Sequence, residues 1–252
     1  MLSVKAVAGK VGRALAALVF PPRCVICDRV IGGSDHGICR KCLPTIPWAG
    51  DKACVDARKL QIDFAARAIA PTYYEGGVRE ALLRYKFNGV SSYAPVLARL
   101  IVEEVGVAVG FGEILPPEVV TFVPISKKRR KKRGYDQAEL LAKAVARALG
   151  LPLVKTLEKI ADTPAQSTLD EKARKANVVG AYRVRPEATV DIAERHVLLI
   201  DDVLTTGATL SEAAKTVAYL LPGSIVARRW RKRVRKHKKT VEIDNDMQYN
   251  IG

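Results

Sequence analysis

The sequence predicts an α/β protein: a parallel sheet with helices on both faces, preceded by a small cysteine-rich module. Three observations carry this. Short apolar runs at Val119–Val123 (VVTFV) and His196–Ile200 (HVLLI) alternate with amphipathic helical stretches over 119–221, the pattern of a parallel sheet with crossover helices. Four of the five cysteines fall in two C-x-x-C pairs near the start. The second apolar run ends in two adjacent carboxylates and passes through a turn of small residues into a helix. Hydrophobic residues make up 48% and charged residues 27% of 252, enough apolar content for a core. The same composition excludes a collagen, a small disulfide scaffold and, lacking an apolar run near about 18 residues, an integral membrane protein.

Taken in order, residues 1–20 place Val4, Val7, Val11, Leu15 and Leu18 at helical spacing, an amphipathic helix. Gly12 and Arg13 shorten its apolar run and Pro21-Pro22 replaces a cleavage site, which argues against an export signal and for a cytoplasmic protein. Residues 21–57 form the cysteine module, and 62–227 the α/β domain. Within it Val102–Gly106 falls on a helix, Pro116-Pro117 marks a boundary, and Val119–Val123 is a buried strand. Ala138, Leu141, Ala142, Val145, Ala148 and Leu149 share a helical face that Gly150 and Pro152 end. Residues 155–180 are polar and are expected as a long loop with some helix. Thr209 with Glu212 fits a capping box for a helix carrying Leu210, Ala213, Ala214, Val217, Ala218 and Leu221.

The net charge of +16 has two addresses: seven positive charges over 127–133 (KKRRKKR) and nine over 228–239 (RRWRKRVRKHKK), with no acid in either. Such blocks attract phosphate-rich partners. The first is expected as a loop, and 228–252 as a basic tail in which Trp230 is available to stack on a base.

Cys24, Cys27, Cys39 and Cys42 supply four thiolates, the complement of a closed tetrahedral zinc site without an open position for water or substrate. Two disulfides are the alternative, and they need an oxidising compartment. Cys54 lacks a C-x-x-C partner and is read as a spare thiol.

Val197–Thr209 (VLLIDDVLTTGAT) fits a sugar phosphate. Amides at a helix start, aided by the helix dipole, bind phosphate, and Gly207 and Ala208 let the backbone approach. Thr205, Thr206 and Thr209 add hydroxyls, and Asp201 and Asp202 can accept hydrogen bonds from ribose hydroxyls. The end of a parallel strand is where α/β ligands bind.

This segment resembles the phosphoribosyl pyrophosphate (PRPP) motif of type I phosphoribosyltransferases. Leu18–Cys27 (LVFPPRCVIC), Tyr74–Gly89 (YEGGVREALLRYKFNG), Val123-Pro124 with Arg133–Leu141 (RGYDQAELL), and Thr163–Ser167 with Arg174, Asn177 and Tyr182 are similar in order and spacing to the ComF family, over about residues 15–221. The resemblance implies a type I phosphoribosyltransferase-like sheet behind a zinc ribbon. It implies structural Zn²⁺ on Cys24, Cys27, Cys39 and Cys42, and PRPP with Mg²⁺ on Asp201, Asp202, Thr205, Thr206, Gly207, Ala208 and Thr209. It assigns the pyrophosphate or DNA side to Lys127, Lys128, Arg129, Arg130, Lys131, Lys132, Arg133 and Gly134, and a flap to Gln166, Arg174 and Asn177. A role in DNA uptake and natural competence, single-stranded DNA and a helicase partner are implied by the family alone.

Three departures stand out. Asp136 replaces the family's usual Asn, where a carboxylate would repel pyrophosphate unless magnesium or Lys screens it. A second C-x-x-C around Cys54 is broken, against a second metal. After Pro222-Gly223 only Ser224–Ala227 could serve as the final strand, so the end is either a DNA-binding tail or an altered frame that lost a strand. No residue stands out as a general base, so no catalytic residue is assigned. Two function classes remain open: a phosphoribosyltransferase, such as one of nucleotide or purine metabolism with an unknown acceptor, and a nucleic-acid-binding module on that fold.

Overall fold

The computed structural model describes residues 21–32, 36–161, 178–201 and 207–230. The helix expected over 1–20, the flap residues Gln166, Arg174 and Asn177, the loop residues Asp202, Thr205 and Thr206, and the chain after Trp230 lie outside the described residues.

The main sheet has the order β1-β2-β7-β6-β3, with β1 Cys54–Asp56, β2 Arg67–Ile69, β3 Val119–Phe122, β6 His196–Ile200 and β7 Ser224–Arg228. β2, β7, β6 and β3 are mutually parallel, and only the edge strand β1 is antiparallel. In register, Phe122 pairs with Ile200 and Ile200 with Arg228, so the C-terminal ends of three strands are level. The largely apolar runs of β3 and β6 follow from burial on both faces. Val120, Leu198, Ile200 and Val226 face one core, shared with α2 (Ala94–Gly110) and α4 (Gln137–Leu149). Val119, Val197, Leu199, Ile225 and Ala227 face the other, covered by α6 (Ala208–Ala218). Helices on both faces are thus as expected.

Helix α4 buries Ala138, Leu141, Ala142, Val145 and Ala146 and stops at Gly150, whose φ of +68° closes a left-handed cap. Ala148 is exposed, one place off the expected face. Before it, α1 (Gly76–Phe87) buries Val78, Ala81, Leu82 and Tyr85.

Several expectations are corrected. Lys127–Arg133 is a helix, α3, and not a loop. The Ser126 hydroxyl accepts the Arg129 amide at 3.4 Å, Gly134 closes the other end at φ +81°, and Lys127 and Arg130 pair with Glu158 and Glu139. Like-charge repulsion costs a few tenths of a kcal/mol per i,i+3 or i,i+4 pair, and the Ser126 cap, the Gly134 cap and the ion pairs with Glu158 and Glu139 oppose it. The Thr209–Glu212 capping box does not form: Gly207 is the N-cap of α6, and Glu212 accepts the Gly180 amide at 2.8 Å instead. Helix α6 ends at Ala218, Leu220 is buried, and Leu221 is exposed at a left-handed φ of +52°. Within 155–180, Leu157–Lys159 (β4) pairs antiparallel with Tyr182–Val184 (β5); three-residue strands carry too little pattern to read. Between β5 and β6 runs the single turn α5 (Thr189–Ile192).

The final strand is present. β7 lies between β2 and β6 and extends to Arg228, and Arg228, Arg229 and Trp230 are all buried. Trp230 is therefore a core residue with the Arg228 guanidinium 3.2 Å from its ring centroid, and it is not a platform for a base.

Candidate functional site

The cysteine module converges on one point. The sulfurs of Cys24, Cys27, Cys39 and Cys42 all lie within 4.8 Å of one another, with Cys27 and Cys39 3.9 Å apart. Tetrahedral Zn–S bonds of about 2.3 Å require sulfurs about 3.8 Å apart, so the donor set fits zinc. Burial pushes the Cys24 thiol up, but the amides of Cys27, Cys39 and Ile26 outweigh it and bring it down to about 7. Burial pushes Cys42 up. Cys54 lies apart, buried in β1, its thiol pushed up to about 11 by burial and then by Glu113.

The knuckle is fastened to the α/β body by residues that sequence reasoning did not single out. Arg84 of α1 donates through Nη2 to the Val25 and Ile26 carbonyls, both at 2.8 Å, within the loop between Cys24 and Cys27. The Tyr93 hydroxyl donates to Asp28 at 2.9 Å. Gly37 and Gly77 allow the approach: a Cβ at Gly77 would stand 2.4 Å from Ile26, and one at Gly37 2.2 Å from Val96.

The second feature is the C-terminal edge of the sheet. From β3 the chain leaves through α3 and α4 toward one face; from β6 it leaves through α6 over the other. Where neighbouring strands send their connections to opposite faces, a crevice opens between the two loops. The β3 connection supplies α3 and its C-cap Gly134, and the β6 connection supplies Asp201 and Gly207 with the first residues of α6. Asp201 is buried at the end of β6, and its carbonyl accepts from Arg228 Nη1 at 3.2 Å. Gly207 holds φ +85°, and its carbonyl accepts the Ser211 amide at 2.8 Å as α6 begins. The first-turn amides of a helix open away from its body, toward the arriving loop, with the positive end of the dipole. Helix α3 buries none of its seven basic residues, and the Lys127 side chain is 90% exposed.

The Arg133–Leu141 segment carries α3 to α4. Asp136, buried, accepts three amides: Ala138 and Glu139 on Oδ1 at 3.0 and 3.2 Å, and Ile125 on Oδ2 at 2.9 Å. Its carboxylate is thus turned into the protein as the N-cap of α4, which removes the reason to expect repulsion of pyrophosphate. Arg133 donates to Gln137 Oε1 at 3.1 Å, and Gln137 Nε2 donates to the Lys86 carbonyl at 3.0 Å. Glu139 pairs with Lys155 at 2.7 Å and Arg130 at 3.1 Å. Burial pushes Glu139 up, and those two cations, led by Lys155, win and hold it below the ordinary glutamate value.

Residues 15–60 match the double zinc ribbon domain and residues 136–247 the phosphoribosyl transferase domain. The chain is thus a phosphoribosyltransferase-like α/β protein behind an N-terminal zinc ribbon. It is 28% identical over 214 residues to Competence protein F of Haemophilus influenzae, covering 80% of this chain and 93% of that one. It is 28% identical over 211 residues to DNA utilization protein YhgH of Salmonella typhi, 79% and 91% of the two chains. With Competence protein ComFC of Bacillus subtilis it shares 25% over 195 residues, 76% and 70% of the two. Over about four-fifths of its length the chain is thus similar to Competence protein F and to DNA utilization protein YhgH. Among the described residues no helix is long and apolar enough to cross a membrane.

Proposed function

We propose that this chain is a PRPP-binding protein of the ComF type that handles single-stranded DNA in DNA uptake. The observation that carries the PRPP half is the crevice itself: Asp201 at the end of a buried parallel strand, a left-handed Gly207, and the start of α6, all inside the segment matching the phosphoribosyl transferase domain. The 5′-phosphate would sit on residues Thr205–Thr209, with Asp201 and Asp202 accepting from the ribose hydroxyls. The pyrophosphate would face Lys127–Arg133, and Gln166, Arg174 and Asn177 would cover the ligand. Magnesium, when bound with PRPP, neutralises charge on the pyrophosphate.

Catalysis, if it follows binding, is displacement of pyrophosphate from the sugar C1 by a nucleophile. Negative charge then grows on the leaving group, and the cations of α3, held in place by Gly134, Arg133–Gln137 and the Glu139 pairs, stabilise it. The names of the relatives, with α3 and the basic chain after Trp230, support DNA as the larger partner and a cytoplasmic place of action. Contacts confined to phosphates give sequence-tolerant binding that falls steeply with salt.

Titrating magnesium-PRPP into the zinc-loaded protein by calorimetry tests the reading. Saturable, magnesium-dependent heat is expected, and its absence from folded, zinc-loaded protein contradicts the PRPP half. Charge-reversal of α3 is expected to flatten the salt dependence of oligonucleotide binding, and an unchanged slope contradicts the assignment of α3 to DNA.

A further inference from the structure

Burial denies Trp230 a stacking role, but another aromatic ring stands beside the basic helix. Phe87, the last residue of α1, is 63% exposed and belongs to neither core. The guanidinium of Arg133, the last residue of α3, lies 5.2 Å from its ring centroid, and the Lys86 ammonium lies 5.9 Å from it. Buried groups build this juxtaposition. Gln137, fully buried, accepts from Arg133 Nη1 on Oε1 at 3.1 Å and donates through Nε2 to the Lys86 carbonyl at 3.0 Å. The Tyr135 hydroxyl donates to the Tyr85 carbonyl at 2.7 Å. The backbone just before Phe87 is thus pinned twice to the segment that follows α3, which sets the ring at the end of the basic helix.

One exposed Phe on a surface is ordinary. What surrounds this one differs from an apolar docking patch: Asn88 and Gly89, which follow it, are exposed and add no apolar side chain, and the groups over the ring are cations. An aromatic face among cations fits a ligand that is flat, aromatic and negatively charged. Single-stranded nucleic acid combines these, its bases stacking on aromatic side chains while its phosphates meet Lys and Arg. A duplex does not, since its bases stack on one another and present only their edges in the grooves. Helix α3 supplies the phosphate side, with Lys128, Lys131 and Lys132 all exposed.

We propose that the Phe87 ring is a stacking platform for a base of single-stranded DNA whose phosphates lie on the cations of α3. The inference rests on the single-stranded DNA reading above and names the ring that takes the base.

The test is fluorescence anisotropy on the full, zinc-loaded chain with three labelled probes of one length: a single strand, the same strand made abasic throughout, and the duplex. Phe87→Ala is expected to weaken the single strand about tenfold, the scale of one base–aromatic stack, while leaving the abasic strand and the duplex within about twofold and the salt slope unchanged. Phe87→Trp keeps a ring and is expected to hold the single strand at least as tightly as wild type. Its indole fluorescence should be quenched by the single strand, beyond any quenching in wild type, and not by the abasic strand. Melting temperatures check that both variants fold, and should Phe87→Ala not fold, the quenching of Phe87→Trp carries the test. Equal losses on the single and abasic strands, or no loss on the single strand, overturn the inference while the DNA reading stands. A folded wild type that binds none of the three probes overturns that reading and the inference with it.

Discussion

Tyr135 and Tyr85, fifty residues apart, fasten the two halves of the basic edge: the Tyr135 hydroxyl donates to the Tyr85 carbonyl at 2.7 Å. The Tyr85 hydroxyl in turn donates to the Gln137 carbonyl at 2.7 Å. Two segments that the sequence presents as separate motifs, 74–89 and 133–141, are thus one unit. Arg84, the neighbour of Tyr85, holds the cysteine knuckle, so α1 connects the zinc module to the end of the basic helix.

Removing these hydroxyls should therefore loosen the basic edge. Tyr85→Phe leaves the Gln137 carbonyl short of a donor in a buried place, and is expected to cost about 1–2 kcal/mol. Tyr135 is half-exposed, and Tyr135→Phe is expected to cost about 1 kcal/mol or less. Urea denaturation monitored by circular dichroism reads both. Equal and negligible effects would contradict the linkage.

Asp136 explains a departure that looked harmful. Three amides need two acceptor oxygens, and a carboxylate has two where an amide side chain has one. Asp136→Asn is expected to keep the cap of α4 but strand the Ile125 amide, at about 1 kcal/mol, and Asp136→Ala to cost about 2–3 kcal/mol. Denaturation midpoints of the two variants give that order. A more stable Asn variant would show that the carboxylate is there for another reason.

The Glu139 cluster sets an acid limit. Burial raises its pKa, but Lys155 and Arg130 outweigh burial and hold it below the ordinary value. A carboxylate depressed in the folded state contributes fully above its unfolded pKa of about 4.3 and loses that contribution as pH falls through the folded value. Stability of wild type over Glu139→Gln is therefore expected to be about 1 kcal/mol at pH 7 and to decline progressively as the pH falls below about 4. Urea titrations at several pH values measure it, and a difference that does not change with pH contradicts the pairing.

Metal removal is expected to act first on the knuckle. Zinc analysis of purified protein should approach one ion on the Cys24, Cys27, Cys39 and Cys42 set. Chelation should expose the chain around Val25 and Ile26 to protease and lower the melting temperature by more than about 5 °C, since little apolar content holds this module otherwise. Full thermal stability after zinc loss would mean that Arg84 and Tyr93 alone suffice.

What was legible in the sequence was what has a strong local signal. Val119–Phe122 and His196–Ile200 are largely apolar, Thr121 and His196 aside, because both faces are covered, and α4 and α6 show clear helical periodicity. The two C-x-x-C pairs, the end of β6 before Asp201 and the start of α6 after Gly207 were visible because their local pattern is strong. What was not legible depends on partners far along the chain. The charge of Arg228 and Arg229 hid the last strand, since arginines at a strand end read as a tail. Arg84, Tyr85 and Tyr135 act through backbone carbonyls, which no side-chain pattern reveals. The turn of α3 into a helix rests on Ser126 and Gly134, small residues flanking a charge block that repels itself.

The most direct test of the central claim, that the edge between β3 and β6 holds PRPP, is calorimetric titration of magnesium-PRPP into wild type beside Asp201→Asn/Asp202→Asn, with zinc content and melting temperature matched. The account predicts saturable binding in wild type and a loss of about a hundredfold or more in the variant, the two carboxylates no longer accepting from the ribose hydroxyls. Equal affinity in the two proteins would contradict it.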